Sequence, residues 1–189
     1  MCLRQEKGSS MSRNVLVAYA SKMGATAEIA EVIGAELRER GHHVDVRNAA
    51  DVGSITAYDA VLLGSSIYAR RWRPDAVRFL GRHVDELRHR QVWLFHSGPV
   101  GPDKDQDQIM PPKVRRLARQ IGAVPAVTFA GRLEPATAKG FLARWLARGE
   151  LAGDFRDWKL IREWARDVSA VISSIQVGSP DGPPEATLR

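Results

Sequence analysis

Two hydroxyl residues, a glycine and a lysine lie together in the loop that follows the first apolar run of the chain. The apolar run covers residues 15–20. The loop consists of Ser21, Lys22, Met23, Gly24, Ala25 and Thr26. A long amphipathic segment follows, and the first amides of a helix have no intrahelical partners and lie at the positive end of its dipole. The loop is therefore expected to bind a phosphate group. An ordinary strand-to-helix turn with a hydroxyl cap is the alternative interpretation.

Two further loops follow buried strand-like segments and are rich in serine and glycine. The first, residues 65–73, begins with Ser65, Ser66, Ile67 and Tyr68. The second, residues 97–103, begins with Ser97, Gly98, Pro99 and Val100. Loops that leave the carboxyl ends of parallel strands share one edge of the sheet, and ligands bind where the strand order reverses. The three loops are therefore predicted to hold a flat ring between them, although each of the two later loops taken alone is at least as compatible with a plain turn.

Strand and helix patterns alternate along the chain. This alternation is typical of an α/β protein with a parallel sheet covered on both faces. The apolar runs predict strands at residues 15–20, 43–47, 60–64, 91–96 and 126–131, and helices at residues 25–40, 74–87, 114–121 and 158–175. Residues 132–154 form an insertion before the last helix. One domain is expected over residues 13–176, with a disordered leader at 1–12 and a disordered tail at 177–189.

Composition excludes several kinds of site. The single cysteine, Cys2, lies in the predicted leader, so the domain has no disulfide, cysteine nucleophile or cysteine-based metal site. The five histidines lack metal-ligand spacing, so no metal is expected, and no residue has the setting of an obligatory catalytic acid or base. No apolar run approaches the roughly 20 residues that span a bilayer, and no secretory signal precedes the domain, so a cytoplasmic location is expected.

The net charge of +6 favours anionic partners. Nucleic acid is not expected among them, because no basic run is interleaved with aromatic residues. Residues 139–148 have a basic amphipathic pattern, with Phe141, Leu142 and Trp145 on the apolar side. Two interpretations stay open for this segment: peripheral contact with the inner face of a membrane, or packing against its own protein.

The loop at residues 21–26 resembles the phosphate loop of the flavodoxin-like FMN-binding family, which reads hydroxyl-x-hydroxyl-Gly-x-Thr. Ser21, Gly24 and Thr26 match, whereas Met23 replaces the middle hydroxyl and removes one side-chain contact. The resemblance implies a three-layer, doubly wound sheet of five parallel strands in the order 2-1-3-4-5. Residues 64–68, 130–133 and 154–158 look like one branch of this family, the flavodoxin-type menaquinone-dependent protoporphyrinogen oxidases.

The resemblance also implies how FMN is held. Its phosphate would rest on residues 21–26, and its isoalloxazine ring would lie between residues 66–68 and 97–100. Tyr68 or Trp72 would stack on a face of the ring, and for Trp72 the alternative is packing on the following helix.

Three functional hypotheses follow. The first is an FMN-dependent oxidoreductase that passes electrons from an organic donor to a quinone or similar acceptor, with protoporphyrinogen oxidation as its most specific form. The second is a one-electron carrier with a protein partner, and the third is an interaction module that has lost its flavin. Arg70, Arg71 and Arg73 predict a higher flavin potential than that of a shuttle flavodoxin, unless they point into solvent.

Overall fold

The computed structural model describes residues 12–103, 105–133 and 152–174. The strands are β1 (Asn14–Ala20), β2 (His43–Asn48), β3 (Ala60–Tyr68), β4 (Arg71–Trp72), β5 (Gln91–Ser97), β6 (Val124–Phe129), β7 (Arg132–Leu133) and β8 (Gly153–Asp154). The helices are α1 (Ala25–Glu39), α2 (Pro74–Arg82), α3 (Val84–Leu87), α4 (Pro112–Gln120) and α5 (Trp158–Ser174). A 3₁₀ turn covers Gly101–Asp103.

Five strands form a parallel sheet in the order β2-β1-β3-β5-β6, and β4 pairs with β3 in the antiparallel direction. Without the two-residue β4, this order is the expected 2-1-3-4-5, so the predicted fold is confirmed. The strand order reverses at β1, which lies between β2 and β3. A separate two-stranded ribbon joins β7 to β8.

Side chains of the sheet alternate between two apolar layers because successive residues of a strand point to opposite faces. Leu16 and Ala18 of β1 face the layer that contains buried residues of α2, α3 and α4. Val15 and Val17 face the layer that contains buried residues of α1 and α5. Burying each large aliphatic or aromatic side chain contributes about 1.5–3 kcal/mol to folding, which explains the nearly continuous apolar sequence of the central strands.

Helix α1 ends at the glycine that the sequence predicts as its stop. Gly41 has φ +91°, a conformation that costs glycine little. Its N–H donates to the Arg38 carbonyl at 2.9 Å, and the His42 N–H donates to the Leu37 carbonyl at 3.2 Å. These two bonds satisfy carbonyl groups that the helix end would otherwise leave without partners.

The prediction of a loop from Ser65 onward is wrong. Residues 65–68 continue β3, because Ser65 and Ser66 pair in register with His96 and Ser97 of β5. The chain then turns back at Ala69 and Arg70 and forms a hairpin with β4.

Smaller differences concern element boundaries. Strand β6 begins at Val124 and ends at Phe129, two residues earlier than predicted at both ends. The helix that begins at Pro74 is interrupted at His83 and continues as α3. The predicted leader up to residue 11, the amphipathic segment at 139–148 and the predicted tail lie outside the described residues, so these boundaries stay predictions. Within the described ranges no helix is both long and apolar enough to cross a bilayer.

We expect Gly64→Ala to lower the free energy of unfolding by about 1–3 kcal/mol, because the core has no room for another methyl group. A Cβ at Gly64 would lie 2.1 Å from Cζ of the buried Phe95 ring. Gly81→Ala in α2 is the matched control, since nothing lies within 4 Å of its Cβ position. Denaturant unfolding of both variants tests this prediction, and equal stabilities would contradict it.

Candidate functional site

A cleft of about 700 Å³, partly open to solvent, lies at the carboxyl edge of the sheet beside β1. It is lined by Ser21, Lys22, Met23, Ala25, Thr26, Ser66, Ile67, Tyr68, Ser97, Gly98, Val100, Gly131, Arg132 and Leu133. Residues of all three predicted segments therefore meet in one place. The cleft lies where the strand order reverses, which is the usual ligand position in open parallel sheets.

The loop at residues 21–26 leaves the start of α1 without a side-chain cap. Gly24 is the N-cap residue, has φ +92° and makes no side-chain capping bond. Its own N–H donates to Ser21 Oγ at 3.0 Å, which closes the loop. Because no side chain caps the helix, its first amides are available to an anion in the cleft.

A buried hydrogen bond joins this loop to the one after β5. Thr26 Oγ1 and Ser97 Oγ lie 2.8 Å apart, and both residues are almost fully buried. The two hydroxyls hold the first turn of α1 against the end of β5. This hydrogen bond therefore fixes the distance between the two loops on this side of the cleft.

The opposite wall depends on a close backbone approach at Gly98. A Cβ at this position would lie 2.2 Å from Cγ2 and 2.8 Å from the carbonyl oxygen of Ile67. Glycine thus lets the loop after β5 lie directly against β3. Nearby, Ser66 Oγ is buried and has no hydrogen-bond partner among the described residues, although buried polar atoms are normally paired. This hydroxyl lines the cleft and is suited to a polar atom of a ligand.

An aromatic ring and a cation stand at the mouth of the cleft. Tyr68 is 44% exposed, and Lys22 Nζ lies 4.8 Å from the centroid of its ring. That distance is within the range of a cation–π interaction. Tyr68 is therefore accessible at the mouth of the cleft, and its stacking on a ligand stays a prediction.

Four residues predicted to contact the ligand do not line the cleft: Gly24, Ser65, Trp72 and Pro99. Trp72 is buried in the core and donates from Nε1 to His96 Nδ1 at 3.3 Å, so the packing interpretation is right and stacking is wrong for this residue. Ser65 is fully buried, donates to the Ser66 carbonyl at 3.0 Å and accepts the Arg73 N–H at 2.9 Å, so it does not line the cleft. Pro99 lines a neighbouring cavity instead.

That second cavity shares a wall with the cleft. Ile67, Tyr68, Gly98 and Val100 border both spaces. The second space measures about 1230 Å³, also partly open, and its remaining lining comes from Ala69, Arg70, Pro99, Gln106, Asp107, Gln108 and Ile109. A small molecule bound there would lie beside a ligand of the cleft.

Sequence reasoning missed the contribution of the β7–β8 ribbon. Gly131, Arg132 and Leu133 line the cleft, and Arg132 forms two hydrogen bonds with Glu28 in the first turn of α1. Burial acts to raise the pKa of Glu28, but hydrogen bonds from Arg156 and Arg132 bring that pKa below its usual value. The only sequence signal was the resemblance of residues 130–133 to a family branch, which gave them no role.

Behind the cleft, His96 is held as a neutral imidazole. Its Nδ1 accepts the Trp72 N–H, so Nε2 carries the proton and donates to Thr128 Oγ1 at 2.9 Å. Burial lowers the pKa of His96 to about 4. A neutral, hydrogen-bonded histidine at this position stabilises the end of β5.

Comparisons with known proteins agree on one family. Residues 16–137 match the family model described as flavodoxin domain. A flavodoxin from Nitratidesulfovibrio vulgaris (strain DSM 19637 / Miyazaki F) is 41% identical over 87 residues, which are 44% of this chain and 51% of that protein. The match therefore spans about half the length of this curated relative.

Solved structures share the fold at low sequence identity. Oxidised Flavodoxin 2 from Bacillus cereus has a TM-score of 0.57 and 18% identity, over 84% of this chain and 99% of the other. Rubredoxin oxygen:oxidoreductase from Desulfovibrio gigas has a TM-score of 0.59 and 14% identity, over 84% of this chain and 36% of the other. At such identities the likeness concerns the fold alone.

We expect His96 to make the protein less stable in acid. Its pKa is lower in the folded state than the ordinary value near 6.5, so its contribution is complete at neutral pH. The contribution is lost as the pH falls from about 6.5 to about 4, at a total cost of about 3 kcal/mol. Denaturant unfolding at several pH values tests this expectation.

His96→Gln should lose less stability over that range than the wild type. The difference isolates His96 from His42, whose pKa is also lowered by burial. The exposed His89 provides a control variant, His89→Gln. Identical pH profiles for wild type and His96→Gln would contradict the assignment.

Proposed function

Because the chain belongs to the flavodoxin family, whose cofactor is FMN, we propose that it is an FMN-dependent oxidoreductase. In this proposal it passes electrons from an organic donor to a quinone or a similar acceptor. The observation that supports an enzyme is the second cavity, which borders the cleft at Ile67, Tyr68, Gly98 and Val100. A carrier needs only an accessible cofactor, whereas an enzyme needs a site for a second molecule.

The residues of the cleft fit FMN. The uncapped start of α1, Lys22 and the hydroxyls of Ser21 and Thr26 offer donors and positive charge to a phosphate. In the proposed arrangement the flat ring lies between residues 66–68 and 97–100. There Ser66 Oγ has no partner among the described residues, and Gly98 lets the loop after β5 approach β3 closely.

When bound, FMN supplies the redox chemistry, and the protein binds it, orients it and adjusts its potential. Arg70 lies beside the second cavity, and Arg71 follows it in the hairpin. Cations near the cleft favour a cofactor that gains negative charge on reduction. We therefore propose a potential above that of a shuttle flavodoxin, with oxidation of a protoporphyrinogen as the most specific form of the activity.

A one-electron carrier with a protein partner is the second candidate. The mouth of the cleft carries Tyr68, 44% exposed, and the second cavity carries Ile109, 66% exposed, close to Arg70. Apolar side chains beside an arginine suit an acidic protein surface, and the net charge of +6 would speed such an encounter. Family membership does not support the third hypothesis, a flavin-free module. Met23 in the phosphate loop does not support it either, because this residue still offers its backbone N–H.

The proposed location is cytoplasmic, with peripheral contact at the inner face of the membrane through residues 139–148. This segment lies outside the described residues, so its role stays a proposal that rests on its sequence.

We expect about one FMN per chain in a titration followed by quenching of flavin fluorescence. The loaded protein should then be reduced by a small organic donor, such as a porphyrinogen, and reoxidised by a soluble quinone in repeated turnovers. Exchange of electrons with redox proteins alone, without turnover of any small-molecule pair, would favour the carrier. Absence of FMN binding would contradict both candidates.

The triple substitution of Arg70, Arg71 and Arg73 by Gln should lower the midpoint potential of the bound flavin by tens of millivolts, because positive charge near the cleft is removed. The matched control removes the same charge from exposed positions of α4, which do not line the cleft: Arg115, Arg116 and Arg119. Potentiometric titration of both variants tests the prediction. Equal midpoint potentials of the wild type and the triple variant would show that solvent screens the charges of these three arginines.

A further inference from the structure

Four charged side chains form a cluster beside the loop at residues 21–26. We call it the Glu28 cluster: Glu28, Arg132, Asp154 and Arg156. Arg132 Nη2 and Nη1 donate to the two oxygens of the Glu28 carboxylate at 2.6 and 3.0 Å, and Arg156 Nη1 donates to one of them at 2.8 Å. Arg156 also pairs with Asp154. The cluster thus contains two cations and two anions.

The two arginines have different surroundings. The side chain of Arg156 is only 2% exposed and lies 4.3 Å from the Trp158 ring, between Asp154 and Glu28. The side chain of Arg132 is 14% exposed and lines the cleft. Its Nη2 lies 3.6 Å from the place that a Cβ would occupy at Gly24, the N-cap of α1. Arg156 is therefore fixed inside the fold, and Arg132 borders the cleft.

Glu28 places a negative charge where a ligand phosphate is expected. It lies in the first turn of α1, where a carboxylate is favoured by the helix dipole, and its lowered pKa keeps it ionised. A nearby phosphate would be repelled by this carboxylate unless a cation offset its charge. Arg132 supplies such a cation, because it contacts Glu28 and lines the cleft, and its Nη2 lies 3.6 Å from the Cβ position at Gly24, next to Glu28 Oε1 at 3.7 Å.

We propose that Arg132 binds the phosphate of FMN, and that Glu28 occupies its guanidinium until the cofactor displaces the carboxylate. The planar fork of an arginine matches a phosphate as well as a carboxylate, so the same groups serve both partners. This inference rests on the proposed function of the cleft. It assigns to the β7–β8 ribbon a part in distinguishing FMN from riboflavin, which lacks the phosphate.

The test compares the Kd of FMN with that of riboflavin, both measured by fluorescence quenching. Arg132→Gln should weaken FMN binding at least tenfold, which is about 1.4 kcal/mol, and change riboflavin binding less than twofold. The matched control is Arg166→Gln, because Arg166 also pairs with a glutamate of α1, Glu36, at 2.9 Å. Equal losses for FMN and riboflavin, or no loss of FMN binding, would overturn the proposal.

Glu28→Gln should act in the opposite direction. With the competing carboxylate removed, FMN should bind several-fold more tightly, and riboflavin should not. In the double variant Glu28→Gln/Arg132→Gln most of this gain should disappear, since Arg132 is no longer there to be released. A gain that is equally large in both backgrounds would mean simple charge repulsion and would overturn the role of Arg132. Glu36→Gln controls for the loss of a carboxylate on the same helix.

Two further measurements distinguish a failure of this inference from a folding defect and from a failure of the proposed function. If Arg132→Gln does not fold, Arg132→Lys keeps the charge without the fork and should still narrow the preference for FMN over riboflavin. If the wild type binds neither flavin, the proposed function fails, and thermal melts with inorganic phosphate then decide about Arg132. Stabilisation by phosphate that is lost in the Arg132 variant supports the inference, and stabilisation unaffected by the substitution overturns it.

Discussion

The level ends of β1 and β5, on either side of β3, determine the rest of the site. Ala20 of β1 pairs with Ser65 of β3, and Ser66 pairs with Ser97 of β5, so the chain leaves β1 and β5 at nearly the same height. The loops after these strands then face each other across the extended end of β3. A shift of one residue in either pairing would turn every side chain of a strand to the other face of the sheet.

Local sequence carries enough information for the elements but little about contacts between distant ones. The apolar run of β1 and the serine, glycine and threonine after it predict a strand, a loop and a helix. By contrast, Ser65 and Ser66 are polar and are typical of a loop, and pairing with β1 and β5 makes them part of a strand. Trp72 is similar: its single donor finds His96, 24 residues later, and this buried partner removes the ring from the cleft.

The strand order came from family resemblance, since periodicity alone does not distinguish among parallel arrangements. The resemblance of residues 130–133 to a family branch gave Arg132 neither a position nor a role. Its position depends on a two-residue pairing between β7 and β8 and on an ion pair with Glu28 that spans 104 residues. Charged residues on short ribbons give no periodic signal, so the local sequence does not place Arg132 beside α1. Sequence reasoning is weakest for residues whose partners lie this far away along the chain.

The hairpin between β3 and β4 has a thermodynamic consequence for ligand binding. Ala69 and Arg70 have φ angles of 48° and 59°, left-handed values that cost a non-glycine residue about 1–3 kcal/mol each. Consecutive left-handed residues match the natural twist of paired strands, so the turn is tight. The free-energy cost of this left-handed turn is therefore offset during folding, before any ligand binds. A ligand that enters the cleft then has little backbone to order, and a larger share of its contact energy remains as affinity.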